Sequence, residues 1–390
     1  MTGGETGGTT GGETHGGGAD NGRRTALHDL YAGWGATVAP FAGWALPMHF
    51  GSGVLKEHLA TRSGAGLFDV GHMGQIRLRP RSGDAADAAR ALERLAPVDA
   101  LGLPPGRQRY TVLTGPDGGI LDDLMVANMG DHLFLVVNAA RAEADVAQLE
   151  TYLSDDVAVE TPDRALIALQ GPGAETLLAP LIPEAAEMRF MDARAVDAFG
   201  GAVLARAGYS GEDGFEISVP GDEAPALAQA LVAAGAVPAG LGARDSLRLE
   251  AGLPLYGADL DEGTSPVEAG LSFAVGRARR EDGARPGGFP GAERILRELR
   301  NGPGRLRVGL SPEGRAPMRP GTTIFPDGSD DPAGEVTSGG YAPSLERPVS
   351  MAYLPARLAV PGTRVEGEVR GRRMAATVTA LPFRAAGYRR

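Results

Sequence analysis

The stretch Gly118–Val126, GGILDDLMV, combines a strand-like apolar pattern with two adjacent acids. Its Ile, Leu, Met and Val residues are typical of a buried strand. Neighbouring side chains on a strand point to opposite faces, so Asp122 and Asp123 meet different surroundings. A carboxylate that faces inward is costly unless another group binds it or the chemistry uses it. Either both acids are structural, one bound by turn amides and the other by an Arg, or one of them has a chemical function.

This strand belongs to a block, from about residue 74 to 160, that reads as one compact α+β unit. Its hydrophobic periodicity predicts four strands and two helices. The strands cover 74–79, 109–115, 120–127 and 132–138, and the helices cover 84–96 and 140–153.

The flanking segments predict a second α+β unit and a β domain. Before the block, helices are expected over 25–36 and 52–65, with a Pro- and Gly-rich loop over 40–47. After it, the pattern predicts strands over 165–170, 201–207 and 214–219 and helices over 173–180, 222–234 and 240–252. Beyond about residue 275, short strands separated by Pro- and Gly-rich turns predict a small β-barrel or β-sandwich.

Composition excludes several classes of protein. The chain has 390 residues, 43% apolar and 22% charged, as expected for a globular protein of two or three domains. It has no cysteine, which excludes disulfides and thiolate metal sites. The net charge of −11, without a basic tract, argues against nucleic-acid binding, and no apolar run reaches the ~18 residues of a membrane span. We expect a cytoplasmic protein with a disordered, Gly-rich tail over residues 1–24.

General active-site motifs are incomplete in this chain. The segment 208–212 lacks the second Gly of a G-x-S-x-G turn, and 240–242 lacks the third Gly of a dinucleotide fingerprint. The histidines have no metal-binding spacing, so we expect no metal site. Glu216 either lines an inner strand face or faces solvent. Arg244 either binds a ligand or is a surface residue beside an N-capping Asp245.

Many long blocks, in order from residue 25 to 388, resemble one family, the aminomethyltransferases or T-proteins of the glycine cleavage system. They include PFAGWALPMHF, EHLATRSGAGLFDVGHMG, DGGILDDLMV, GYSGEDGFEISVP and GLGARDSLRLEAGLPLYGADLDEGTSPVEAGLSFAV. The resemblance implies an α+β fold of three domains, a cloverleaf around a central channel. These are a discontinuous folate-binding α+β domain over 25–73 and 161–272, an inserted α+β domain over 74–160 and a small β-barrel domain over 273–390.

The resemblance also implies a tetrahydrofolate-dependent aminomethyltransferase. Its substrate is an aminomethyl group on the lipoyl arm of a carrier, the H-protein. The products are ammonia, 5,10-methylene-tetrahydrofolate and the dihydrolipoyl carrier. Tetrahydrofolate is a co-substrate, no metal takes part, and we expect a monomer that works with the other glycine cleavage components.

Five residues match functional positions of the family. Its critical acid matches Asp123, its pterin-contacting Glu matches Glu216, its folate-site Arg matches Arg244, and two tyrosines of the site match Tyr110 and Tyr388. A carboxylate at 216 can accept both N–H donors of a pterin edge. A fixed carboxylate at 123 can orient the folate nitrogens and stabilise developing positive charge. We therefore expect Asp123 to face the channel, and we expect its neighbour Asp122 to support the turn.

Three residues depart from the family pattern: Gly71 stands where Ser is common, Ala127 where Tyr is often found, and Phe273 in place of Trp. Two other functions stay open. One is a folate-dependent demethylase of the same fold. The other is a non-catalytic folate-binding paralogue, although those proteins carry a Cys-containing signature and this chain has no Cys.

An acidic enzyme that meets an acidic carrier needs a local basic surface. The candidates for this surface are Arg277, Arg279, Arg280 and Arg285 and, as a second choice, Arg372, Arg373, Arg389 and Arg390.

Overall fold

The computed structural model describes residues 22–390. Residues 1–21, most of the predicted tail, lie outside the described residues. The last residues of that predicted tail belong to the fold, because Arg23 forms a β-bridge with Trp44. Among residues 22–390, no helix is both long and apolar enough to cross a membrane.

The described chain forms nineteen strands, numbered in chain order. Their bounds are β1 Thr37–Phe41, β2 Trp44–His49, β3 Gly66–Asp69, β4 Gly74–Pro80, β5 Arg107–Thr114, β6 Ile120–Asn128, β7 Leu133–Val137, β8 Val157–Glu160, β9 Arg164–Gln170, β10 Ala193–Val196, β11 Ala202–Ala205, β12 Gly214–Pro220, β13 Val237–Pro238, β14 Arg305–Pro312, β15 Thr323–Pro326, β16 Gly334–Ala342, β17 Arg347–Pro355, β18 Arg364–Val369 and β19 Arg372–Thr379.

Seven α-helices accompany these strands in the described chain. They are α1 Val54–Ser63, α2 Ala85–Leu92, α3 Ala142–Leu153, α4 Ala174–Leu178, α5 Ala224–Ala233, α6 Leu241–Glu250 and α7 Ala292–Asn301. The sequence predicts all of them except α7, which lies where only short strands were expected.

The strands form a two-stranded hairpin, two larger sheets and a barrel. The first sheet has the order β10-β11-β12-β9-β3-β13, the second has the order β5-β6-β7-β4-β8, and β14 to β19 close a six-stranded barrel. The fold is therefore α+β with a terminal barrel, as the sequence predicts. Each unit has its own apolar core.

Two predicted elements are wrong. Residues 25–36 do not form an α-helix; only His28–Leu30 makes a 3-10 turn. The hydroxyls of Thr25 and Tyr31 both donate to Asp69 at 2.7 Å, which ties this segment to β3 instead. The predicted loop over 40–47 is the hairpin β1–β2. Its two turn residues, Ala42 and Gly43, have φ values of 47° and 79°, as in the two-residue turns that suit a twisted hairpin.

A connecting segment, residues 254–304, fixes the start of β6. The N–H of Ile120 donates to the carbonyls of Asp261 at 3.1 Å and of Thr264 at 3.0 Å. A Cβ at Gly119 would lie 1.7 Å from the carbonyl oxygen of Glu262, so this close approach requires Gly. The barrel strands begin only at Arg305, later than the predicted domain boundary at residue 273.

A buried ionic cluster joins α1 and α6 to the barrel. His58 contacts the Ser344 hydroxyl at 2.9 Å and the carboxylate of Glu250 at 3.3 Å. Glu250 also binds Arg62 at 2.9 Å and accepts the backbone N–H of Ser344 at 2.7 Å. Burial alone would raise the pKa of Glu250, but the hydrogen bond and charge of His58 and the bonds from Ser344 outweigh it and lower the pKa to about 2.

We predict that Glu250→Gln lowers the free energy of unfolding by roughly 3 kcal/mol at pH 7, because the variant removes the buried carboxylate that binds Arg62, His58 and Ser344 and leaves Arg62 with Glu212 alone. A lowered carboxyl pKa stabilises the fold above its unfolded value of about 4.3, and this stabilisation is lost as pH falls towards 2. Urea unfolding should therefore show that the free energies of unfolding of wild type and variant differ less at pH 3 than at pH 7. A gap that does not depend on pH would contradict this account.

Candidate active site

A cleft separates the two large sheets. Its walls carry side chains of β5, β6 and β7 on one side and of β9 to β12 on the other, and the cavity between them is narrow, with a volume of about 20 Å³. The lining residues are Gln108, Met125, Ala127, Phe134, Val136, Leu166, Ala193, Val203, Ala205, Glu216 and Ser218. Most of this lining is apolar, and Glu216 is its one ionisable side chain.

Strand alternation places the two acids of β6 on opposite faces of their sheet. Asp123 shares a face with Met125 and Ala127, which line the cleft. Asp122 shares the other face with Leu124, which packs in the core beneath the helices, and its side chain is fully buried. The expectation that Asp122 supports the turn is wrong, because its hydrogen bonds go to Asn138 instead.

The side chain of Asn138, just after β7, binds both acids. Its amide nitrogen donates to the carboxylates of Asp122 at 2.8 Å and of Asp123 at 2.7 Å. The Tyr110 hydroxyl donates to the other oxygen of Asp123 at 3.0 Å. Sequence reasoning missed Asn138; the available signal was a polar amide that ends the apolar run LFLVV.

These surroundings change the protonation of Asp123. Burial and the nearby charge of Asp122 raise its pKa to about 7, although the hydrogen bonds from Tyr110 and Asn138 lower it. A carboxyl with a pKa near 7 can exchange a proton at neutral pH. Asp123 thus differs from an ordinary surface carboxylate in a way that is frequent at functional sites.

Glu216 and Arg244 influence each other electrostatically in this region without forming a direct ion pair. Burial raises the pKa of Glu216 and the charge of Arg244 lowers it; burial lowers the pKa of Arg244 and the charge of Glu216 raises it. The guanidinium of Arg244 lies 4.9 Å from the centre of the Tyr209 ring. Tyr209 in turn has Asp123 among its charged neighbours. The alternative of a surface strand Glu is excluded, because Glu216 lines the cleft.

The surface alternative for Arg244 is also excluded. Helix α6 is capped by Gly240, not by Asp245. Asp245 binds Arg248 at 2.7 Å, one turn along the same helix. Arg244 is therefore a partly buried cation on a helix whose neighbouring acid is already paired.

Tyr388 has different neighbours from the other four predicted residues. Its ring stacks on Phe190 with centroids 4.1 Å apart, and its charged neighbours are Arg62, Glu212 and Arg390. The N–H of Gly387 donates to the Gly211 carbonyl, in the turn before β12. The C-terminal segment thus packs beside the strand that carries Glu216, but Tyr388 forms no hydrogen bond with Asp123 or Glu216.

The departures from the family pattern lie around the cleft. Ala127 lines it, so a Tyr there would occupy its space. The ring of Phe273 lies 5.7 Å from that of Tyr110 and remains 64% exposed. A Cβ at Gly71 would approach the Asp69 carboxylate to 3.1 Å, which leaves little room for Ser without a small shift.

Three of the four arginines of the first predicted docking surface are bound within the fold, and only Arg277 is exposed. Arg279 is only 3% exposed and binds Glu93 at 2.9 Å. Arg285 binds Glu93 and Asp99, and Arg280 donates to the carbonyls of Val275 and Ser272. These arginines hold the connecting segment against the second sheet. In the second-choice group, Arg389 is paired with Glu175.

The described residues contain no group of three His, Asp or Glu side chains that could hold a metal ion. What this region offers instead is one carboxyl in the apolar cleft, Glu216, with Arg244 as its charged neighbour, and a second carboxyl, Asp123, on the face of β6 that also carries the cleft residues Met125 and Ala127. Such a combination suits a flat, polar-edged organic ligand and a reaction that develops charge.

Comparisons with known proteins agree along most of the chain. A family model described as the GCVT N-terminal domain matches residues 27–279, and a model described as the glycine cleavage T-protein C-terminal barrel domain matches residues 305–384. The aminomethyltransferase of Rubrobacter xylanophilus is 42% identical over 377 residues, which cover 94% of this chain and 95% of that protein. The mitochondrial aminomethyltransferase of Dictyostelium discoideum is 39% identical over 388 residues, 94% of each chain.

A solved structure is similar in both sequence and shape. The glycine cleavage system aminomethyltransferase T of Bartonella henselae is 41% identical, with a TM-score of 0.88. The match covers 94% of this chain and 99% of that one.

We predict that Asn138→Ala raises the pKa of Asp123 above about 7, because the carboxylate loses its 2.7 Å donor. Asp122→Asn should have the opposite effect, since the charge of Asp122 raises that pKa. Carboxyl-carbon NMR titration can follow both variants, with Asp123→Asn to assign the signal. Shifts of the same sign in the two variants would refute this description of the site.

Proposed function

Since the chain belongs to the aminomethyltransferase family, the T-proteins of the glycine cleavage system, we propose that its cleft transfers a methylene group to tetrahydrofolate. The donor is the aminomethyl group on the lipoyl arm of a carrier, the H-protein, and ammonia is released. The observation that supports this best is that Glu216 lines the cleft between the two sheets with Arg244 as its charged neighbour, while Asp123 lies on the face of β6 that lines the same cleft.

Glu216 is the proposed anchor of the pterin ring. The ring presents an N–H and a 2-amino group side by side, and one carboxylate accepts both in a bidentate pair. The charge of Arg244 lowers the pKa of Glu216 and so favours the ionised form that accepts two hydrogen bonds. The apolar walls beside Glu216 suit the flat faces of the ring.

Asp123 is the proposed catalytic carboxylate. N5 of the folate attacks the methylene carbon as ammonia departs, so positive charge develops near the reacting atoms. The Asp123 carboxylate, fixed by Tyr110 and Asn138, can orient the folate nitrogens and stabilise that charge. Because the stabilising form is the anion, turnover should rise as pH passes through the Asp123 pKa of about 7.

The two tyrosines take supporting roles in this proposal. Tyr110 donates to Asp123 and keeps one carboxylate oxygen in place. Tyr388, stacked on Phe190, would border the outer part of the folate molecule.

Carrier identity, monomeric state and cytoplasmic location stay predictions. The similarities favour neither the demethylase nor the non-catalytic alternative. One assay tests the function directly: formation of methylene-tetrahydrofolate from an aminomethylated lipoyl carrier, with and without this protein.

We predict that Asp123→Asn lowers kcat by about 100-fold or more, a loss of roughly 2–4 kcal/mol in transition-state stabilisation, with little change in tetrahydrofolate affinity. Asp122→Asn should cost less, because its side chain does not face the cleft. Steady-state kinetics and calorimetry measure the two quantities. Equal losses of kcat in two folded variants would remove the distinction between the two acids.

We predict that Glu216→Gln weakens tetrahydrofolate binding, because the amide cannot accept both pterin donors. Leaving a donor unpaired costs ~1–3 kcal/mol, which corresponds to a rise in Kd of about 5-fold to 150-fold. Isothermal titration calorimetry measures it, and Glu223→Gln on the surface before α5 is the matched control. Unchanged affinity in Glu216→Gln would show that Glu216 does not hold the ring.

A further inference from the structure

Asp145 is a buried acid that the proposed reaction does not use. It lies on α3, is fully shielded from solvent, and its carboxyl group lies within hydrogen-bonding reach of that of Asp122. Neither of its oxygens receives a hydrogen bond from an N–H or hydroxyl group of the described residues. An ionised carboxylate in such a place is too costly to persist without donors. Asp145 therefore needs another explanation for its burial.

The contact with Asp122 supplies that explanation. Two carboxyl groups in contact away from water do not both ionise, so the pair holds one proton. Asp122 accepts hydrogen bonds from the backbone N–H of Asn138 at 3.0 Å and from its amide at 2.8 Å, which favour the charged form. Asp145 has no comparable donor. The proton therefore resides on Asp145, whose hydroxyl donates to the Asp122 carboxylate.

The other charged neighbours do not change this assignment. Arg141 lies one helical turn before Asp145 and lowers the pKa of that carboxyl, but it donates no hydrogen bond to it. Its guanidinium lies 3.6 Å from the Glu262 carboxylate and over the Tyr256 ring at 5.6 Å. Burial and the charges of the two acids on β6 raise the Asp145 pKa, and they outweigh Arg141.

We propose that Asp145 is a positioning residue for aminomethyl transfer: as a neutral carboxylic acid it donates a hydrogen bond to Asp122 and keeps Asp122 ionised. The Asp122 carboxylate then orients the Asn138 amide, and that amide fixes Asp123 in the cleft. The inference rests on the proposed role of Asp123. What matters at residue 145 is a hydrogen-bond donor, not a negative charge.

Two substitutions of similar size separate a donor from a charge. Asp145→Asn keeps an N–H donor and removes all titration, whereas Asp145→Leu removes the donor. We expect kcat within about 3-fold of wild type for Asp145→Asn and a loss of about 10-fold to 100-fold for Asp145→Leu, the usual range for residues that orient a functional group. The KM for tetrahydrofolate should stay unchanged in both, because neither substitution touches the cleft face.

The pH dependence of kcat distinguishes positioning from general damage. Without its donor, the buried Asp122 has a higher pKa. Because the proposal requires Asp122 as well as Asp123 to be ionised for turnover, the acid limb of the Asp145→Leu profile should then follow Asp122 and move to higher pH. The limb should stay in place for Asp145→Asn. A loss of kcat in Asp145→Leu without a shift of the limb would mean that residue 145 only supports the fold, and the proposal would fail.

Infrared spectroscopy tests the protonation of Asp145 without any turnover. At pH 8, Asp123 with its pKa of about 7 is mostly ionised, whereas Asp145 with its pKa of about 9 is not. The wild-type spectrum minus that of Asp145→Asn at this pH should contain the C=O band of a buried carboxylic acid; this readout also serves if Asp145→Leu does not fold. The proposal is overturned if no such band is present, or if Asp145→Asn is as impaired as Asp145→Leu. A wild-type protein with the band but no aminomethyl transfer would instead contradict the proposed function.

Discussion

One amide group, the side chain of Asn138, binds an acid on each of the two faces of the second sheet. It donates to Asp122 on the helix-covered face and to Asp123 on the cleft face. Strand alternation makes this arrangement necessary, because adjacent residues of β6 cannot share a face. The position of Asp123 therefore depends on a residue outside its own strand, and the burial of Asp122 is tolerated because the same residue supplies its donors.

Contacts with the connecting segment fix the start of β6, the strand that carries both acids. Gly119 lets the connecting segment approach to a distance that a Cβ would prevent, and Ile120 is bonded to two carbonyls of that segment. Buried arginines such as Arg279 hold the segment against the second sheet. The acid partners of Arg279 and Arg285 make the run of arginines at 277–285 less basic than its sequence suggests, because charge density along the sequence does not show which charges are already neutralised by distant acids.

The sequence predicts the strands well where apolar alternation is strong, as in β6, β7 and β12. It fails where side-chain contacts over long distances decide the local structure. Thr25 and Tyr31 are bound by Asp69, which replaces a helix by turns, and no local pattern predicts that contact. Asn138 was missed for a similar reason: its role exists only because β7 lies beside β6. The inward face of Glu216 was an open alternative until the opposing sheet defined the cleft.

The two carboxylates near the cleft differ in their nearest charge, and this difference assigns their roles. Burial raises the pKa of both carboxyl groups. The cation of Arg244 opposes this rise at Glu216, whereas the anion of Asp122 raises the pKa of Asp123 further. A carboxyl group whose ionised form is favoured by a neighbouring cation suits constant binding of a ligand with two donors. A group that titrates near neutral pH suits a step in which charge changes. Exchanging the neighbours, an acid near residue 216 and a base near residue 123, would keep both carboxylates in the cleft yet reverse which one can bind and which one can react.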